Sequence, residues 1–196
     1  CIFRIMYGEG AAFLTTGQYV RPRRLEEAGF HFTDNTVGQL FRGVDRSTID
    51  RLDVSRYMGR WYEIARYDHR FERGLHYVTA EYSKRPDGKI KVLNCGHQDA
   101  VDGKEKCSIG KARPSHNGQP GQLQVAFFLS FYSDYNILEL DPDYQWSLIG
   151  SSTDKYLWIL SRTPHLDQNT LHQILEKARQ RGYDTSRLIF PQQPES

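Results

Sequence analysis

From residue 59 to residue 161 the chain alternates between short runs of aromatic and β-branched residues and clusters of Gly, Pro, Asp and Asn. The runs fall at 59–67, 77–84, 89–98, 104–113, 122–128, 134–140, 145–150 and 156–161. Between them stand "RPDGK", "DAVDGK", "SHNGQPG", "LDPDY" and "SSTDK", the residue types that tight turns favour. Regular strands with such punctuation are the pattern of a sandwich or barrel. Eight in up-and-down order leave exposed edges unless the sheet closes on itself. The expected fold is therefore all-β, an eight-stranded antiparallel up-and-down β-barrel. One C-terminal α-helix follows, with Leu171, Ile174, Leu175 and Ala178 recurring on one face. Asp167 or Asn169 can cap its start and Gly182 can end it, before a last short strand in "RLIF".

An eight-stranded barrel is wide enough to hold one small ligand. The alternation fits a cavity: Leu123, Val125 and Phe127 share one face of "QLQVAFF", and Tyr156, Trp158 and Leu160 share one face of "YLWIL". Twelve Tyr and ten Phe suit an aromatic-lined interior. The formal charge of +2, with basic and acidic residues interleaved, gives no basic stripe for nucleic acid. No apolar run approaches the roughly 20 residues of a membrane helix. The chain starts at Cys1, which has two readings: an upstream segment is missing, or Cys1 carries lipid after signal removal. Against the second, "CIF" lacks the small polar residues usual after such a cysteine.

Residues 1–50 and 51–196 differ in character, the first piece having too few apolar residues for its own core. The stretch "GEGAAFLTTGQYVRPRRLEEAGFHF" resembles the C-terminal tail of epimerase-like short-chain dehydrogenase relatives, over residues 1–45. Neither GxGxxG nor a Tyr-x-x-x-Lys pair occurs in the chain, so this extension reads as the tail of an upstream domain, without redox chemistry.

"GRWYEIAR", "YNILELDPDY" and "YLWILSRTP" stand in the order and spacing of the three signatures of the lipocalins, and residues 52–196 resemble that family. The wider text is similar to its bacterial outer-membrane lipoprotein branch, of the apolipoprotein D type. The resemblance implies structural roles for Gly59, Trp61, Tyr62, Asp141 and Arg162. Trp61 plugs the closed end, with Arg162 stacked on it for about 1–2 kcal/mol. Gly59 admits close backbone approach below the indole, and Asp141 holds a turn at the same end. It implies periplasm or outer membrane as the location; fusion to an epimerase-like domain implies cytoplasm instead.

With Trp61 at the base, loops 68–76, 99–103, 129–133 and 151–154 surround the mouth. Arg70 and Arg73 then face solvent at the rim, with Phe71 and Leu75 available as a lid. A greasy cup with a basic rim suits an acyl chain bearing carboxylate or phosphate, although the same arginines can pair with Asp68 and Glu72. Alternation puts Val78, Ala80 and Tyr82 on the wall, then Val92 and Asn94, with Ser108 on the next strand. Val125, Phe127, Tyr135, Ile137, Tyr156, Trp158 and Leu160 complete the expected ligand-binding set. The run "FFLSFY", 127–132, is apolar for a mouth loop and reads as a contact with a membrane surface or a second subunit, or as an inward fold.

Cys95 and Cys107 fall outward on neighbouring strands, where disulfide geometry is within reach. A bridge implies an oxidising compartment and free thiols a reducing one, and the sequence leaves both open. The seven His form neither HxH nor HExxH, so no metal or cofactor site is expected. No GxSxG and no paired carboxylates on an apolar strand face appear, and His69 beside adjacent Asp68 points the wrong way to form a base with its orienter. The expected function is carriage of a small hydrophobic ligand, a fatty acid or lysophospholipid, without chemistry. The rivals are a lipocalin-fold isomerase, a module of an epimerase fusion, and a scaffold that forms a homodimer.

Overall fold

The structure is a computed structural model describing residues 43–116, 118–127 and 132–195. The epimerase-like stretch and positions 128–131 of "FFLSFY" lie outside the described residues. Eight strands close into one antiparallel barrel: β1 Gly59–Tyr67, β2 Leu75–Lys84, β3 Ile90–Gln98, β4 Glu105–Pro114, β5 Gln122–Ala126, β6 Ser133–Leu140, β7 Trp146–Gly150 and β8 Leu157–Ser161. Each strand pairs with the next, and β1 closes the ring by pairing with both β2 and β8. A two-residue strand β9, Leu188–Ile189, adds to the upper end of β1 at Arg66 and Tyr67. β2 begins two residues earlier than alternation suggests. The register slips between His76 and Thr79, where Tyr77 takes a left-handed φ of 45°. β5 ends at Ala126, so Phe127 lies past the strand.

Two apolar cores result. One fills the lower lumen, with Trp61, Ala80, Tyr82, Val92, Ile137 and Leu160 among its buried members. The other lies outside the barrel, where Ile64, Leu138, Trp146, Leu148 and Ile159 meet the helix α2, Gln168–Gln180. β7 is buried at every position, because one face looks into the lumen and the other lies under α2. Asp167 caps α2 by accepting from Thr170 N, Ile174 and Ala178 are its buried residues, and Gly182 follows at φ +86°. No helix of the described residues is long and apolar enough to cross a membrane.

A one-turn helix α1, Val54–Tyr57, precedes the barrel, capped by the Asp53 carboxylate. It carries no periodic pattern in sequence, yet it seals the base. Residues 43–53 are tied to the barrel as well: Asp45 N donates to Arg181 O at 2.8 Å and Ile49 N to Ile137 O at 3.0 Å.

The base is built around a fully buried Trp61. Its Nε1 donates to Tyr57 O at 2.9 Å, linking α1 to β1. The Arg162 guanidinium lies 3.8 Å above the ring centroid. It also donates to three carbonyls: Arg60 O at 2.8 Å, Arg56 O at 2.7 Å and Tyr144 O at 3.2 Å. Gly59, at φ +91°, brings the backbone beneath, and a Cβ there would stand 3.5 Å from Arg162 Nη1. Asp141 Oδ2 accepts from Asp143 N at 3.0 Å and Gln145 N at 3.1 Å, fixing the β6–β7 turn beside it. Tyr62 faces outward and stacks on Tyr77, with ring centroids 6.5 Å apart.

On the β3–β4 hairpin Cys95 and Cys107 form a disulfide across one rung, with Cα atoms 4.1 Å apart. The closed end supplies a stability prediction. Trp61→Ala should destabilise by about 3–5 kcal/mol. Arg162→Lys, which keeps the charge and loses the planar fork over three carbonyls, should cost about 1–3 kcal/mol. Urea unfolding measures both, and an unchanged midpoint for Arg162→Lys would show that the fork does not hold the base.

Candidate functional site

Above Trp61 the lumen has a polar floor. The Tyr57 and Tyr135 hydroxyls are 2.8 Å apart, those of Tyr82 and Tyr135 are 3.0 Å apart, and Tyr57 reaches Ser147 Oγ at 3.5 Å. Burial pushes Tyr57 up to about 12 and Tyr135 well above the ordinary phenol value, so all three stay neutral donors and acceptors in any physiological medium. Tyr57 comes from α1, so strand alternation could not place it.

The wall rises from this floor. Ala80, Val92, Ile137 and Leu160 are buried, while Val125, Tyr135 and Trp158 are half-buried and pack on the same cluster. Asn94 and Ser108 face each other across β3 and β4, one rung mouthward of Val92 and Gly110. Ser108 is exposed although it belongs to this inner face, as is all of β4 from Glu105 to Ile109, while Gly110 and Ala112 below it are buried. Val78 is buried beside Gly96, where a Cβ would meet it at 3.1 Å. The Phe127 ring occupies the space over Gly110, 2.8 Å from where a Cβ would be, and is 44% exposed. Tyr156 precedes β8 and stacks on Trp158, the rings 5.7 Å apart and inclined by 5°.

The rim arginines lie outside this wall. Arg73 Nη2 pairs with Asp68 Oδ2 at 3.0 Å in solvent, and Arg70 stacks 4.7 Å over the ring of Phe71, itself 67% exposed. The cation inside the barrel is Arg66, almost completely buried. The β1–β8 register slips between Glu63 and Ala65, which shifts the phase of β1. Glu63 and Arg66, three apart, thus come to pair at 2.5 Å inside the protein. Period-two reading separates them, so sequence gave no signal for the pair.

Arg66 Nη2 also donates to Glu72 O at 2.6 Å and Leu75 O at 3.2 Å, drawing the β1–β2 loop inward. Glu72 Oε2 accepts from Trp158 Nε1 at 3.1 Å and lies 2.9 Å from His69 Nε2. His69 is held edge-on between Tyr156, at 5.6 Å, and Trp158, at 5.4 Å. Its carboxylate partner is Glu72, one helical-type turn along, and not the adjacent Asp68. This loop is latched to the mouth at two points: Arg66, paired with the Glu63 carboxylate, holds the carbonyls of Glu72 and Leu75, and the Glu72 carboxylate reaches Trp158 and His69. Burial, then the negative charge of Glu72, pushes Glu63 well above the ordinary Glu value despite Arg66. Burial also works against ionised Glu72, but its closeness to His69, the Trp158 hydrogen bond and the positive charge of Arg66 outweigh it and hold Glu72 below that value. Of the two carboxyls, Glu63 therefore takes up a proton more readily than an ordinary Glu, and Glu72 less readily.

A family model described as a lipocalin-like domain matches residues 52–193. The chain belongs to the lipocalin-like family. A second model, described as a domain of unknown function, matches residues 1–43. Outer membrane lipoprotein Blc of Escherichia coli (strain K12) is 44% identical to this lipocalin over 155 residues, 79% of this chain and 86% of that protein. Temperature-induced lipocalin-1 of Arabidopsis thaliana is 40% identical over 153 residues, 74% of this chain and 81% of that protein. Among solved structures, insecticyanin from the tobacco hornworm Manduca sexta superposes with a TM-score of 0.63 at 19% identity, covering 79% of this chain and 87% of that one, a likeness of fold alone.

The latch titrates with opposite signs at its two ends. Glu72, with a depressed folded value, contributes stability that is present above the ordinary Glu value of 4.5 and lost as pH falls through the folded one. Glu63, raised on folding, contributes stability present below its ordinary 4.5 and lost as pH rises through its folded value. In thermal unfolding across acid to neutral pH, Glu72→Gln should flatten the acid limb and Glu63→Gln the limb above it. Parallel curves for wild type and both variants would contradict the latch.

Proposed function

We propose that this lipocalin binds and carries a fatty acid or lysophospholipid, with its acyl tail in the lumen and its anionic head at the rim. The observation that carries the reading is the exposed Ser108 on an inner face whose lower rungs, Val92 and Ala112, are buried. It supports an apolar cup that opens at this end, as small-molecule sites generally require. The orientation follows from charge. The buried Arg66 guanidinium is already held by the Glu63 carboxylate and by the carbonyls of Glu72 and Leu75, so among the described residues an anionic head meets no spare cation at that depth. Arg70, Arg73 and Lys106 stand at the mouth, where a carboxylate or phosphate stays hydrated.

No group transfer is assigned to the chain, and the relatives bearing lipocalin and lipoprotein names support a carrier. The cell envelope, periplasm or outer membrane, is its proposed location, supported by the Cys95–Cys107 bridge and by the name of the Escherichia coli relative. The exposed Phe71 beside Arg70 suits brief contact with an anionic membrane surface during loading. A second reading, one module of a larger enzyme, is favoured by the match over residues 1–43 and predicts a glycine-rich strand–turn–helix upstream in the gene.

Native mass spectrometry of protein purified without detergent, followed by fatty-acid and lysophospholipid titration, tests the carrier reading. Saturable uptake of one ligand per chain is expected. Val125→Glu, which places a charge on the half-buried wall, should weaken uptake by roughly tenfold or more, whereas Ile109→Glu on the exposed outer face should not. Neither co-purified lipid nor saturable uptake would remove the proposal.

A further inference from the structure

The outer face of the β3–β4 hairpin gathers four residues of metal-ligating type at two positions of the ladder. Cys95 stands opposite Cys107, and two residues along each strand His97 stands opposite Glu105. Ligand atoms of Cys95, Cys107 and Glu105 all lie within 4.8 Å of one another. His97 stands beside this group and outside its 4.8 Å span, its ring against Tyr77, and its buried Nδ1 makes no hydrogen bond among the described residues, so that nitrogen is unspent. The bridge is reachable, since Cys107 is exposed and Cys95 half-buried. Its opening need not disturb the hairpin, because the β3–β4 ladder runs from Ile90 opposite Ala112 to His97 opposite Glu105 without a slip.

We propose that reduction of the Cys95–Cys107 disulfide turns this face into a binding site for a zinc-class divalent cation. Cys95 and Cys107 supply two thiolates, Glu105 a carboxylate oxygen and His97 an imidazole nitrogen. Two thiolates with one nitrogen and one oxygen satisfy the tetrahedral preference of a closed-shell cation that tolerates mixed ligands. The chemistry balances. A dithiol reductant gives two electrons and two protons to the S–S bond and leaves as its own disulfide. The incoming cation then displaces both thiol protons to solvent. The ladder holds the two sulfurs on one rung with the Glu105 carboxylate beside them, so three ligands are gathered before the cation arrives and the His97 ring turns in to supply the fourth. In the oxidised protein the sulfurs are spent on each other, so the site exists in one redox state only.

Cadmium titration of the full chain carrying Cys1→Ser, so that Cys95 and Cys107 are its remaining cysteines, followed by the thiolate-to-metal charge-transfer band, tests the assignment with a non-thiol phosphine as reductant and zinc as competitor. One equivalent should bind the reduced chain, zinc should displace it, and the oxidised chain should show no band. Near-ultraviolet circular dichroism of the reduced chain should keep its aromatic signature. Cys107→Ser should abolish the band, and the double variant His97→Asn, Glu105→Gln should weaken binding by roughly tenfold or more. Undiminished affinity in the double variant would reduce the site to a bare dithiol and overturn the proposal. So would a reduced chain that has lost its barrel, because its thiols would then bind metal as an unfolded chain does.

Discussion

Everything in this fold depends on β1 pairing on both edges, with β2 on one side and β8 on the other. Without that strand the sheet would be open and its lumen would be a groove. β1 achieves closure while changing phase at Glu63–Ala65, and the slip gives its two halves different tasks. The lower half points Trp61 into the base, where Arg162 covers it and α1 receives its indole N–H. The upper half points Ile64, Ala65 and Tyr67 at the outer core beneath α2, and leaves Glu63 and Arg66 to meet inside.

The price of that slip is a buried charge system at the mouth. Isolated ions so placed are costly, and the structure neutralises them in layers. Arg66 is enclosed by one carboxylate and two carbonyls of the β1–β2 loop, while Glu72 is satisfied by Trp158 and His69. The loop is therefore ordered by polar contacts on an otherwise apolar cup. The proposed direction of the ligand rests on the same layout, with hydrocarbon at the apolar depth and an anionic head group beside the rim cations.

The barrel was legible because turn residues mark its corners: "RPDGK" and "SSTDK" separate strands whose ends fall within two residues of the expected ones. The helix was legible from Leu171, Ile174, Leu175 and Ala178. Alternation also put Ala80, Tyr82, Val92, Ile137 and Leu160 on a common face, and they pack together in the lumen. What escaped had physical reasons. α1 is one turn long, too short for periodicity, so Tyr57 and its hydroxyl network were invisible. The β1 slip breaks the period of two, hiding the Glu63–Arg66 pair. The basic loop drew notice for Arg70 and Arg73, yet its organising groups are Glu72 and His69, whose partners come from β1 and β8.

The central claim is a tail-inward ligand between a tryptophan at the floor and another near the mouth, and depth-resolved quenching tests it directly. Single-tryptophan variants retaining Trp61 or Trp158 would be titrated with fatty acids carrying a nitroxide near the carboxylate or near the methyl end. The account predicts that the methyl-end label quenches Trp61 more strongly and the carboxylate-end label Trp158. Equal quenching by both labels, or the reverse order, would contradict it.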